Sequence, residues 1–141
     1  MNRRQYIVPA ISVLGLSLTT ACADPMIGEW EASQMSSDGQ TTTLPYSYTY
    51  SNYTYTMSFH MSVEKDLTGN FTILYTTATG SADPTPYEYN YGLTATQTDK
   101  GAYDISLPDM PLELGCTLDK KVLTCADKDT SSDLQLTFDK Q

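Results

Sequence analysis

Leu44-Pro45-Tyr46-Ser47-Tyr48-Thr49-Tyr50-Ser51-Asn52-Tyr53-Thr54-Tyr55-Thr56-Met57-Ser58-Phe59-His60-Met61-Ser62-Val63 is the stretch on which the fold turns. Tyr46, Tyr48 and Tyr50 alternate with Ser and Thr, the period of a β-strand. The phase then slips by one residue, and Tyr53, Tyr55, Met57, Phe59, Met61 and Val63 alternate again. A two-residue turn at Ser51-Asn52 absorbs the slip. It sets Tyr50 opposite Tyr53, Tyr48 opposite Tyr55 and Tyr46 opposite Met57, so every aromatic falls on one face and every Ser/Thr on the other. A β-bulge within one long strand is the other way to absorb it. Asn52 tolerates the left-handed backbone that such a turn needs.

The same period runs outward in both directions. Upstream, Ile27-Gly28-Glu29-Trp30-Glu31-Ala32-Ser33 reads as a strand, with Glu29 and Glu31 on the face opposite Trp30, and Ser36-Ser37-Asp38-Gly39 as a turn. Downstream, Phe71, Ile73 and Tyr75 mark an inward-facing strand, and Ala78 to Pro86 reads as the longest loop. Tyr87, Tyr89, Tyr91, Leu93 and Ala95 alternate after it. Tyr103, Ile105 and Leu107 follow the Asp99-Lys100-Gly101 turn. Leu112, Leu114, Cys116 and Leu118 come next, and Leu134, Leu136 and Phe138 form a final strand. No stretch after residue 22 has helical period. The expected fold is all-β: a small antiparallel up-and-down β-barrel of eight or nine strands, closure being the usual way to remove exposed edges.

Cys116 and Cys125 test this register. A turn at Lys120-Lys121 pairs Asp119 with Val122, Leu118 with Leu123 and Cys116 with Cys125. The two cysteines then form a non-hydrogen-bonded cross-strand pair with Cα atoms ~4.5 Å apart, inside the ~4.4–6.8 Å range of disulfides. A four-residue loop keeps the same pairing. Stapling the hairpin is the expected role, since redox catalysis calls for Cys-x-x-Cys.

Residues 1–21 have the three parts of an export signal: Arg3 and Arg4, an uncharged apolar run from Tyr6 to Leu18, and small residues at Thr20 and Ala21. The run is too short for a membrane span, which needs roughly 20 residues. One reading is an ordinary signal cleaved near Ala21 or Ala23. The other rests on Thr20-Ala21-Cys22, which resembles the lipobox of bacterial lipoproteins, although Thr19 stands where Leu is usual. That resemblance implies that Cys22 becomes an acylated first residue holding the chain to a membrane of the cell envelope. Ala23 suits outer-membrane delivery, on the periplasmic or surface side, in a host that has one. Arg3-Arg4 also leaves a twin-arginine signal open. The expected organisation is signal 1–21, lipidated cysteine and tether 22–26, and barrel 27–141. The tether spans ~14 Å at most.

Loss of Arg3 and Arg4 leaves no arginine, and the lysines that remain face 17 acids. Nucleic-acid binding is excluded for want of a basic footprint, and attraction to anionic head groups is not expected. With His60 as the only histidine there is no zinc set and little for acid–base catalysis, so no enzyme, metal or cofactor is assigned. Asp127-x-Asp129-x-Ser131-x-Asp133 has the alternation of calcium ligands but lacks the mid-loop Gly and closing Glu of an EF-hand. It reads as a solvated loop. Asn52-Tyr53-Thr54 and Asn70-Phe71-Thr72 fit the glycosylation pattern, a coincidence in a chain with a bacterial signal.

Gly28-Glu29-Trp30, the meander, and the closing Leu123-Thr124 and Leu134-Gln135-Leu136-Thr137-Phe138 pattern together resemble lipocalin-like small bacterial lipoproteins. The resemblance implies that Trp30 closes one end of the barrel. Arginine is absent for the basic residue that packs on that Trp in lipocalins. It also implies a cup for a small apolar ligand. The candidate lining is Trp30, Tyr46, Tyr48, Tyr50, Tyr53, Tyr55, Phe59, Tyr87, Tyr89 and Tyr91. Plain core packing is the competing reading of these side chains. A third is an exposed sheet face that recognises an envelope protein, in a structural or inhibitory role. A weaker resemblance, to compact envelope-held enzyme inhibitors with one disulfide, points the same way as the third.

Overall fold

The computed structural model describes residues 22–141, and the signal-peptide reading of residues 1–21 lies outside the described residues. The strands are β1 (Gly28–Ser37), β2 (Gln40–Thr43), β3 (Tyr46–Tyr50), β4 (Tyr53–Val63), β5 (Thr68–Thr79), β6 (Thr85–Asp99), β7 (Ala102–Leu107), β8 (Leu112–Asp119), β9 (Val122–Asp127) and β10 (Gln135–Lys140). All pairings are antiparallel, from β4 through β10 in sequence order and on to β1, which returns to β4 and closes an eight-stranded barrel. Short β2 and β3 are additional. They exist because β1 and β4 pair only along Gly28–Glu31 and His60–Val63 and then splay apart. Beyond the fork β1 takes β2 as partner through Gln34–Ser37, and β4 takes β3 through Tyr53–Met57.

The tyrosine hairpin has the register that its alternation predicts: Tyr46↔Met57, Tyr48↔Tyr55 and Tyr50↔Tyr53. The left-handed turn residue is Ser51 (φ 58°), not Asn52, because the turn places its positive φ at the first central position. Ser47 and Thr56 hydroxyls hydrogen-bond at 2.8 Å across the other face, and Thr49 and Thr54 do so at 3.1 Å. The connection expected over Ala78 to Pro86 is shorter, since β5 runs on to Thr79 and β6 starts at Thr85.

Inward positions of the eight barrel strands fill the interior. Trp30, Met61, Phe71, Tyr103, Ile105, Leu107, Leu114, Leu123 and Phe138 are all essentially buried. Burying such side chains contributes roughly 1.5–3 kcal/mol apiece. Cys116 and Cys125 lie opposite each other in β8 and β9, also facing inward, with Cα atoms 4.0 Å apart and their sulfurs bonded.

One end of the barrel is plugged. Trp30 and Met26 are both fully buried, and the Trp30 indole N–H donates to the Met26 carbonyl at 2.9 Å. The Lys140 ammonium stands 5.3 Å from the Trp30 ring centroid and donates to the Pro25 carbonyl at 2.6 Å. The cation packed on this Trp is a lysine. Gly28 is required beside it: its φ is 136°, and a Cβ there would sit 2.9 Å from Lys140 Cε. The Asp24 carboxylate accepts from the Met26 N–H at 2.9 Å and the Tyr103 hydroxyl at 2.7 Å. Burial, then this hydrogen bond, push the Tyr103 phenol up to about 12. The expected tether of residues 22–26 is therefore mostly part of the plug, and only Cys22 and Ala23 precede its first pinned residue.

Candidate functional site

Strand length builds the site. β4, β5 and β6 have 11, 12 and 15 residues, whereas β7 has six. β7 pairs only with Thr94–Asp99 of β6, so the first half of β6 has β5 on one side and no strand of the described residues on the other. Strands β3, β4, β5 and the first half of β6 therefore continue past the barrel as a four-stranded flap. The flap's inner face is the continuation of the barrel's interior face, because residues two apart share a side. Below, that face is Phe59, Met61, Phe71 and Leu93, all buried in the core. Above, with no wall opposite, it is tyrosine.

Tyr46, Tyr48, Tyr50, Tyr53, Tyr87 and Tyr89 stand on this face and are 38–72% exposed. Tyr55 is half-buried at its centre. Its phenol is raised above the usual value by burial and by neighbouring Tyr75. Ring centroids of Tyr55 and Tyr75 are 5.4 Å apart, and Tyr75 meets Tyr89 edge-on at 5.9 Å. Such pairs hold one another in place without closing over the surface. Tyr55, Tyr75, Thr77, Tyr87 and Tyr89 line an open depression of about 340 Å³. Tyr91 is half-buried and packs on the core at the foot of the flap.

The predicted lining residues thus divide into three. The tyrosines come together on one face, though as an open sheet rather than the wall of a cup, because the strands that would form the far wall are too short. Phe59 lies where flap meets barrel, in a smaller cleft of about 170 Å³ shared with Met35, Phe71, Ile73, Met110 and Leu136 and lined by apolar atoms alone. Trp30 belongs to the plugged end and does not join them. Tyr75, read from sequence only as an inward strand residue, proves central to the flap. Its signal was its shared phase with Phe71 and Ile73.

The flap bears no lysine, and its acids are Asp83 at the β5–β6 tip and Glu88 on β6. Around the same end of the barrel lie Asp38, Asp109, Glu113, Asp127, Asp129 and Asp133, with Lys128 tied to Asp104 at 2.7 Å. The alternating acids of the β9–β10 loop do not converge. Asp129 accepts from the Ser131 N–H and hydroxyl, while Asp133 reaches Ser37 and the Gly39 N–H. The Ser131 N–H and hydroxyl lower the Asp129 carboxyl from its ordinary value, and the Asp38 N–H, then the Gly39 N–H and Ser37 hydroxyl, lower that of Asp133. No cluster of three or more His, Cys, Asp or Glu among the described residues is arranged to hold a metal ion. His60 pairs with Glu29 at 2.9 Å on the outer wall, away from the flap face. A wider hollow, about 860 Å³, lies along the outside of β8 and β9, lined by Gly115, Thr117, Thr124 and Ala126 among others. It gathers no aromatic side chain, so it is a weaker candidate than the flap.

Compared with known proteins, the chain matches no family, no curated sequence and no solved structure.

Proposed function

We propose that this is an exported, lipid-anchored binding protein of the cell envelope, whose tyrosine flap docks a basic protein partner. The observation that carries this reading is the flap face: contiguous tyrosines, exposed, without a cation, beside uncompensated acids. Tyrosine offers a large, stiff contact area with a hydroxyl handle and loses little entropy on binding. The acids add steering of a cationic partner, which weakens with salt.

Anchoring through acylated Cys22 suits this arrangement. Cys22 leaves from the plugged end, opposite the flap, two residues before Asp24. Lys65, Lys100, Lys120, Lys121 and Lys140 occupy turns or strand ends at that end, among Asp24, Glu64, Asp66, Asp99, Asp119 and Asp139, while the acids of the flap end have only Lys128 beside them. An anionic bilayer surface therefore repels the flap end more than the plugged end. The flap would face away from the membrane.

A second reading keeps a small apolar ligand, seated in the cleft beside Phe59, Ile73 and Met110. The cleft's wholly apolar lining favours it. Its volume is below the roughly 300–1,000 Å³ of ordinary ligand sites, so a ligand there would extend onto the tyrosines.

The test uses immobilised processed protein, wild type and a Tyr48→Ser/Tyr55→Ser/Tyr75→Ser/Tyr89→Ser variant, exposed to an envelope extract of its own cells. Wild type should retain a basic protein at low salt and release it as salt rises, and the variant should retain at least tenfold less. Equal retention by a folded variant, or no retention by wild type, refutes the reading. A small-molecule mass that leaves only on denaturation would favour the second.

A further inference from the structure

We propose that β3 is a docking edge for a second copy of this chain, the two β3 strands pairing antiparallel about Tyr48 to join two flaps into one eight-stranded sheet. β3 ends the sheet order, and all five of its residues are exposed. Exposed edges are usually guarded by charge or proline. The flap's other edge has such guards, Pro86 and Glu88 on β6, but Tyr46-Ser47-Tyr48-Thr49-Tyr50 has none.

Its hydrogen-bonding parity suits a copy of itself. The two-residue turn makes Tyr50–Tyr53 a hydrogen-bonded pair, and pairs alternate from there. Tyr46, Tyr48 and Tyr50 therefore direct their backbone groups to β4, and Ser47 and Thr49 direct theirs outward. A dyad at Tyr48 sets Ser47 opposite Thr49 of the other copy, twice, and satisfies all four pairs of outward groups. Tyr48 then faces its own copy as a non-hydrogen-bonded pair.

The strand is also chemically palindromic. Read from either end it is aromatic, hydroxyl, aromatic, hydroxyl, aromatic. Pairing with itself puts Tyr46 opposite Tyr50 and Ser47 opposite Thr49 on matching faces, repeating the aromatic and hydroxyl pairs that β3 already makes with β4. A partner of unrelated sequence has no reason to share this symmetry. Nor does charge oppose it: the flap's acids, Asp83 and Glu88, lie on or beside the β6 edge, with β4 and β5 between them and β3. The inference rests on the edge, not the face, and stands whatever the face binds.

The experiment uses the full chain with Cys22→Ser, which removes the one free cysteine among the described residues, and adds single cysteines. Opposed Cα atoms in a non-hydrogen-bonded pair are ~4.5 Å apart, within disulfide range. With a mild oxidant, Tyr48→Cys should give a covalent dimer of twice the chain mass. Tyr50→Cys alone should not, while Tyr46→Cys mixed with Tyr50→Cys should. Without oxidant, the Cys22→Ser chain should sediment at twice its monomer mass. Adding Ser47→Pro, which removes an outward N–H and leaves the β4 ladder whole, should return it to monomer. A monomeric Cys22→Ser chain, or equal cross-linking at positions 48 and 50, overturns the proposal.

Discussion

Trp30→Ala lowers the unfolding free energy by about 3–5 kcal/mol, the range for removing a large buried aromatic. Trp30 is fully buried, its indole N–H is bonded to the Met26 carbonyl, and the Lys140 ammonium stands over its ring. Removal leaves a cavity, orphans the Met26 carbonyl and takes away the ring under the Lys140 ammonium. In a domain of this size the loss lowers Tm by on the order of 10–20 °C. Because the plug also holds Asp24 and Tyr103, amide protection should fall first around residues 24–30. Urea unfolding with hydrogen exchange checks both. A loss below about 1 kcal/mol would mean that the plugged end closes without Trp30.

Cys116→Ala/Cys125→Ala should cost about 2–3 kcal/mol through the freed loop alone, and more because both sulfurs lie in the core. The hairpin should survive in the same register, since Leu118–Leu123 and Leu114–Asp127 pair on either side of the bridge. Denaturant midpoints of wild type and double variant, each in oxidising buffer, measure the difference. A double variant as stable as wild type would show that β8–β9 packing alone holds this wall.

Much of this architecture is legible in the sequence because barrel strands obey a strict two-residue period. The slip at Ser51-Asn52 located a hairpin to the residue, and the spacing of Cys116 and Cys125 located a second one. β2 was not legible: Gln40-Thr41-Thr42-Thr43 has no apolar alternation, and it is a strand only because β1 outruns the barrel and needs a partner. Lys140 could not be assigned to Trp30 from its position, because the two meet only once the last strand pairs with the first.

The site was half legible for a related reason. Alternation tells which residues share a face, but not whether another wall covers that face. Tyr53 and Phe59 have the same phase on β4, yet one lies in the open and the other in the core. The difference comes from the disparity between 15-residue β6 and six-residue β7. Strand ends are the part of a sequence that propensity marks least clearly.

The most direct test of an exposed tyrosine flap on a filled barrel is residue-resolved tyrosine nitration of the native protein, read by mass spectrometry of its peptides. The account predicts rapid modification at Tyr48, Tyr50, Tyr53, Tyr87 and Tyr89, and none at Tyr103 until the protein unfolds. Protection of the flap tyrosines in the native protein, to the level of Tyr103, would contradict it and put those side chains inside a closed cup.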